Sequence, residues 1–415
     1  MWVGRRVMSF QLFSGQASHV MEGREKRVFK PKGAARATDG CARDGRKGVE
    51  GQWIGSFEGS SSGTLVVDLD DLGDHWEGHA FAFDADTNSP NAMVRIRTPD
   101  KAKSHTLQIG VEDLTPLHPT EPIILNRLDL PKEVNFARLM DLSLKVVGST
   151  MNIGWKADND TSGTATALLS ETKPSEYTAR QDITTWSEFR DFALSLPPRR
   201  FIFRGQDCPH RLRTSFHRSR RKDLVGYLRM DMPNALHALT ARTKHMFDLN
   251  KPVENAAFLN LLQHHGYPTP LLDWSYSPFV AAFFAYRRKP PLDVDHVRIF
   301  VFDKEAWTQD FRQMQTLTFA GPHFSILEAL TIENLRAMPQ QSVSSVSNID
   351  HIEGYIMQNE ALRQKTYLQV IDLPRSERRA VMEQLSLMGI TAGSLFPGID
   401  GACEELRGRY FHPFD

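Results

Sequence analysis

The sequence predicts an α+β protein in which an N-terminal antiparallel β sandwich or small barrel precedes a region of mixed helices and strands. Two observations carry this expectation. Short apolar runs recur at about ten-residue spacing between Trp53 and Thr172, with turn residues between them. Beyond that point helical and extended segments alternate without the strict repetition of a parallel βαβ fold. A chain of 415 residues has room for two or three domains, each with its own core.

Residues 1–50 hold 11 Lys/Arg against 5 Asp/Glu and show little apolar periodicity, so they read as a basic, disordered leader. The β-rich region spans 53–172. Its expected strands are Trp53 to Phe57, Thr64 to Leu69, Trp76 to Phe83, Met93 to Arg97, Thr106 to Val111, Leu142 to Val147, Met151 to Trp155 and Gly163 to Leu169. The paired Trp53-x-Gly55 and Gly154-Trp155 segments suggest that the first strand lies beside a late one. Residues 171–183 read as a linker, and a further α+β domain is expected over 184–415. Thr185-Trp186-Ser187-Glu188 has the pattern of a helix capping box, and Pro197-Pro198 ends that helix. Further helices are expected from Pro252 to Gln263, from Ser277-Pro278 through Ala285, and from Ser376 to Met388; strands are expected at Arg200 to Phe203, Arg298 to Phe302 and Tyr367 to Leu373.

Lys+Arg and Asp+Glu both number 50, so no net charge draws the whole chain to nucleic acid or membrane. Three cysteines, Cys41, Cys208 and Cys403, stand far apart, which argues against a disulfide framework or a cysteine zinc site. The apolar run Val7 to Phe13 is too short to span a membrane. These features predict a soluble, cytoplasmic protein without a membrane partner.

Charge is concentrated locally. Nine Lys/Arg fall between Arg199 and Lys222 with one acidic residue, Asp207, and Phe201-Ile202-Phe203-Arg204-Gly205-Gln206 drives a strand into an arginine and a glycine. A guanidinium at a strand end, followed by a residue that lets the backbone turn, suits the gripping of a phosphate or carboxylate. The bland alternative is a solvated loop whose arginines pair with acids elsewhere. Downstream lies Gln263-His264-His265-Gly266-Tyr267-Pro268-Thr269-Pro270-Leu271-Leu272-Asp273-Trp274. His264 and His265 offer a general base, a ribose hydrogen bond or a structural bond at a helix end; no partner at helical spacing supports a metal. Asp273 reads either as a cap for the following helix or as a ligand contact.

Together the Phe203-Arg204-Gly205 turn and the Gln263–Trp274 segment resemble the FRG domain family, whose second motif runs Gln-His-x-Gly-x-Pro-Thr-Arg-Leu-Leu-Asp-Trp. The resemblance extends over roughly Trp186 to Tyr410, with a third echo in Asn334-Leu335-Arg336 and Gln340-Gln341-Ser342. Pro270 departs from it, standing where the family usually has Arg; if that Arg contacts a ligand, the contact is either lost here or replaced by a neighbour such as Arg211 or Arg213. The aromatic-Arg-Gly strand is also similar to the opening motif of ADP-ribosyltransferases. That likeness implies a split β core and an NAD cofactor held by Arg204, Gly205, Gln206, Arg211, Arg213, Asp273 and Arg336, with His264, His265, Gln341 and Glu360 in catalytic positions. The acid that would stabilise an oxocarbenium ribose is left open among Glu328, Glu333, Glu353 and Glu360. The implied function is nucleotide binding with transfer of ADP-ribose to a protein or nucleic-acid target, as in a toxin or phage-defence effector. The rival is a non-catalytic module that senses a nucleotide or nucleic acid and acts through a partner.

Overall fold

The computed structural model describes residues 48–170, 174–288 and 294–411. The basic leader, except its last three residues, and part of the expected linker therefore lie outside the described residues.

Nine strands build the first sheet: β1 Gly51–Gly59, β2 Ser62–Asp71, β3 Trp76–Asp84, β4 Asn91–Arg97, β5 Ser104–Ile109, β6 Leu114–Leu117, β7 Met140–Val147, β8 Thr150–Ala157 and β9 Ser162–Leu169. They run in the order β5-β7-β8-β9-β1-β2-β3-β4-β6, every neighbouring pair antiparallel, and curl into a nearly closed, barrel-like sheet. Period-two patterning explains the curl's inner face: in β7 Met140, Leu142, Leu144 and Val146 are buried while the residues between them are exposed. These side chains join Trp53, Val67, Leu69, Ile96 and Met151 in one core. The first strand pairs with the last, Trp53 opposite Leu169, so β9 lies between β1 and the Gly154-Trp155 strand. Sequence reasoning missed β6. It contains Pro116, and the sheet admits it because β6 is an edge strand that needs no donor on its outer side.

The second sheet comprises β10 Phe201–Gln206, β11 Leu271–Ser275, β12 His296–Asp303, β13 Phe324–Leu327, β14 Ser342–Ser347 and β15 Leu368–Pro374, in the order β13-β14-β11-β10-β12-β15. All its pairings are antiparallel. Alternate residues feed two cores. Phe203, Ile299, Val301 and Ile371 pack under the helices Trp186–Ser195, Pro278–Tyr286 and Arg378–Leu387. Ile202, Leu272, Trp274, Phe300 and Phe302 pack on the opposite face around Trp307 and Phe324. The expected capping box forms, with the Thr185 hydroxyl and the Glu188 carboxylate each accepting from the other's backbone N–H.

Strands β10 and β12 share six register pairs, whereas β10 and β11 meet at one, Phe203 opposite Ser275. The centre of the sheet is thus its weakest lateral joint.

The two sheets belong to one compact unit, and buried charge links them. Asp70 on β2 accepts from Arg221 Nε at 2.6 Å and from the Lys222 backbone N–H. Gln52 on β1 donates to Asp68 Oδ1 at 2.9 Å and to the Asn348 carbonyl at 2.8 Å, and accepts from the Asp350 N–H at 2.6 Å. His79 Nδ1 stands 2.9 Å from Asp223 Oδ1.

Candidate functional site

Strand β10 does not turn at Gly205; it continues to Gln206. The glycine is required for a different reason. A Cβ there would lie 1.9 Å from the Ala281 carbonyl oxygen and 2.8 Å from the Ala285 nitrogen, so its absence lets the helix Pro278–Tyr286 pack flush on the strand. Gln206 donates to the His210 carbonyl at 2.7 Å and pins the loop after the strand.

Between them Arg204 projects toward the joint with β11. Its Nη1 donates to the Asp273 carbonyl at 2.7 Å, supplying a bond where the backbone ladder has lapsed. Its Nε is buried and meets no acceptor among the described residues. Burial, with Arg218 nearby and against the pull of Asp273, pushes the guanidinium down to about 10.

Asp273 does not cap the following helix. Ser277 does, accepting from Val280 N, which leaves the Asp273 carboxyl facing Arg204, Gln263 and Arg218. Solvent reaches this carboxyl within its recess. Desolvation by the surrounding atoms nonetheless pushes its pKa up, against the pull of Arg204, Gln263 and Arg218. Gln263 closes the chain by accepting from the Thr269 hydroxyl. The two motifs read in the sequence therefore converge: Thr269, Gln263, Asp273 and Arg204 form one connected polar network.

The histidines sit at the end of the helix Pro252–His264. His264 is half-buried with Nε2 unpartnered, and burial, reinforced by Arg336 and His265, pushes its pKa down to about 4. It is therefore neutral at physiological pH, able to accept or donate one hydrogen bond. His265 is exposed, its ring 6.0 Å from that of His264. Arg336 donates to the His264 carbonyl at 3.4 Å and lies over the Phe396 ring at 5.3 Å.

Arg211 and Arg213 stand elsewhere. Arg213 grips Asp350 in a fork at 2.5 and 2.7 Å, and Arg211 lies 3.7 Å from the same carboxylate; both arginines are buried. Burial alone would raise Asp350, but Arg213, with Lys222 behind it, outweighs burial and holds the carboxyl below its ordinary range. Both arginines are thus engaged with Asp350; the cations acting on the Asp273 carboxyl are Arg204 and, more weakly, Arg218. Of the nine basic residues in this stretch, Arg200, Arg213 and Arg221 engage Asp303, Asp350 and Asp70, and Lys222 donates to the His217 and Ser219 carbonyls. The dense charge is largely internal neutralisation.

Gln341 is exposed in a left-handed conformation (φ 47°), its carbonyl accepting from Tyr276 N. Glu360 accepts from the Tyr367 and Leu368 backbone N–H groups at 2.6 and 2.8 Å and from the Tyr177 hydroxyl at 2.8 Å. Glu353 and Glu333 likewise receive backbone amides, from Leu212 and from Lys244 and His245. Glu328, by contrast, lies at a cavity rim. Among the described residues no cluster of His, Cys, Asp and Glu is placed to hold a metal ion, and no helix is long and apolar enough to cross a membrane.

An α+β fold in which a strand-borne Phe-Arg-Gly meets a helix-loop-strand Gln-His…Leu-Asp-Trp element defines a specific class of domain. Residues 199–293 match the family model of the FRG domain, so the chain carries an FRG domain over that stretch. No curated protein and no solved structure matched the chain.

Proposed function

We propose that this FRG domain binds a nucleotide through its phosphates, with NAD as the ligand, at the Arg204–Asp273 network. One observation carries the reading: Arg204 keeps a buried N–H that meets no acceptor among the described residues. Such a group on a cation costs about 1–3 kcal/mol unless a ligand atom satisfies it. Arg218 beside it supplies a further positive charge, so a pyrophosphate suits the pair better than a single carboxylate. Neutral His264 and the cation Arg336 add two polar groups from the second and third motif segments, Arg336 donating to the His264 carbonyl.

Transfer of ADP-ribose to a macromolecular target is the catalytic form of this proposal. Recognition without chemistry is the second reading, favoured by the engagement of Glu353 and Glu360 with backbone amides and by the amide rather than acid at Gln341. Calorimetric titration of the full chain with NAD tests binding, and nicotinamide release in the presence of cell lysate tests transfer. Absence of heat with NAD and with ADP-ribose alike would overturn the proposal; binding without nicotinamide release would leave recognition alone.

A further inference from the structure

A cavity of about 150 Å³ opens beside β14, walled by Arg199, Asn260, Tyr276, Glu328, Ser342 and Ser344. We propose that it receives the hydroxylated ring of a pentose whose phosphate is held by Arg204; this inference rests on the phosphate reading of Arg204.

Size comes first. Pockets that enclose a whole drug-sized ligand run to roughly 300–1,000 Å³, so this one takes a single ring and not a nucleotide entire. Chemistry then selects the ring. Tyr276 has the Arg199 guanidinium stacked 4.1 Å from its ring centroid and Lys304 Nζ at 5.0 Å, so cations already engage the aromatic surface that a base would need. Its hydroxyl donates to Glu328 Oε1 at 3.0 Å and accepts from Lys304 Nζ at 2.9 Å, so the Glu328 carboxylate is oriented with lone pairs to spare. Around it stand the hydroxyls of Ser342 and Ser344 and the amide of Asn260. Leu327, Ala329 and Val343 complete the wall, so polar groups that match ring hydroxyls, each of which donates once and accepts twice, stand beside aliphatic surface that suits the C–H edges of a pentose.

Position ties the cavity to the phosphate site. Ser344 is the cross-strand partner of Asp273, and such pairs lie about 5 Å apart on one face of a sheet. The same helix serves both: Asn260 donates to Ser344 Oγ at 3.3 Å, while Gln263, one turn on, bonds the Asp273 carboxyl. One wall residue, and the residue preceding another, carry backbone that residues with a Cβ seldom adopt. Arg199 has φ 63°, and Gln341, immediately before Ser342, has φ 47°. Local strain of this kind clusters where a site must hold a fixed shape.

The test uses the full chain and two probes, ribose 5-phosphate and inorganic phosphate, titrated by calorimetry. Ribose 5-phosphate should bind at least about tenfold more tightly than phosphate. Glu328→Gln and Ser344→Val should each erase most of that advantage and leave phosphate affinity unchanged, whereas Arg204→Ala should weaken both probes. Glu328 is largely exposed, so its variant folds and decides the matter even where Ser344→Val is unstable. Equal affinity for the two probes, or a sugar preference that survives Glu328→Gln, would overturn the cavity assignment while the phosphate reading stands. Failure of both probes to bind would overturn both.

Discussion

Arg204 and Asp273 are joined through the backbone: the guanidinium takes the Asp273 carbonyl at 2.7 Å beside the single register pair that holds β10 to β11. Arg204 thus has a structural bond on one nitrogen and an unused donor on another.

Replacing Arg204 by Ala separates these roles. Loss of the charge-assisted carbonyl bond should lower stability by about 1.5–3 kcal/mol. Affinity for NAD should fall by at least about tenfold, since charge-assisted bonds to phosphate are worth roughly twice neutral ones. Thermal melts and titrations on one preparation check both. A collapse in melting temperature with unchanged affinity would make Arg204 purely structural.

Gly205→Ala probes the flush helix. With the Ala281 oxygen 1.9 Å from the new methyl, backbone must move, and overpacking of this kind costs about 1–3 kcal/mol. Chemical denaturation should show the loss. An unchanged midpoint would mean that the helix does not lie against the strand.

Asp350→Asn should be more damaging than either. It leaves Arg213 and Arg211 buried beside a neutral group, and breaking a buried ion pair typically costs about 3–5 kcal/mol. An Asp350→Asn protein that melts with the wild type would refute the ionic cluster.

His217 makes stability fall with acid. It is fully buried, and burial pushes its pKa down to about 3, so the folded chain keeps it neutral. The unfolded chain takes up a proton below its ordinary value of about 6.5. Between these limits the unfolded state binds the extra proton, and this group removes up to about 1.4 kcal/mol per pH unit as pH falls. Between about pH 7 and 5.5 the melting temperature of wild type should drop more than that of His217→Gln. Parallel drops would show that His217 is not held neutral.

Much of the architecture was legible because its signals are local. Alternation along β7, the Thr185–Glu188 box and the proline entry of Pro278 each act within a few residues. The partners of the basic stretch were not legible. Arg221 finds Asp70 and Arg213 finds Asp350 across more than a hundred residues, and a charge count is blind to such pairings. Asp273 was ambiguous for a related reason: a carboxylate before a helix caps well, and only the presence of Ser277 in the capping position frees it. Strand β14 went unread because Ser342–Ser347 reads Ser-Val-Ser-Ser-Val-Ser, which breaks the two-residue period and carries little apolar weight, although Ser342 and Ser344 line the cavity.

The salt-linked seam between the sheets has a practical corollary for anyone expressing the FRG region by itself. A fragment beginning at residue 184 would sever Asp70 from Arg221 and from the Lys222 amide, and Gln52 from Asp350, exposing a charged scar made for a dry contact. Such a fragment should be poorly soluble, because Val225 would also lose its apolar cover from Val66, Phe81, Met93 and Leu117. Adding back residues 48–170 as a separate polypeptide should rescue it, since that piece carries the missing carboxylates.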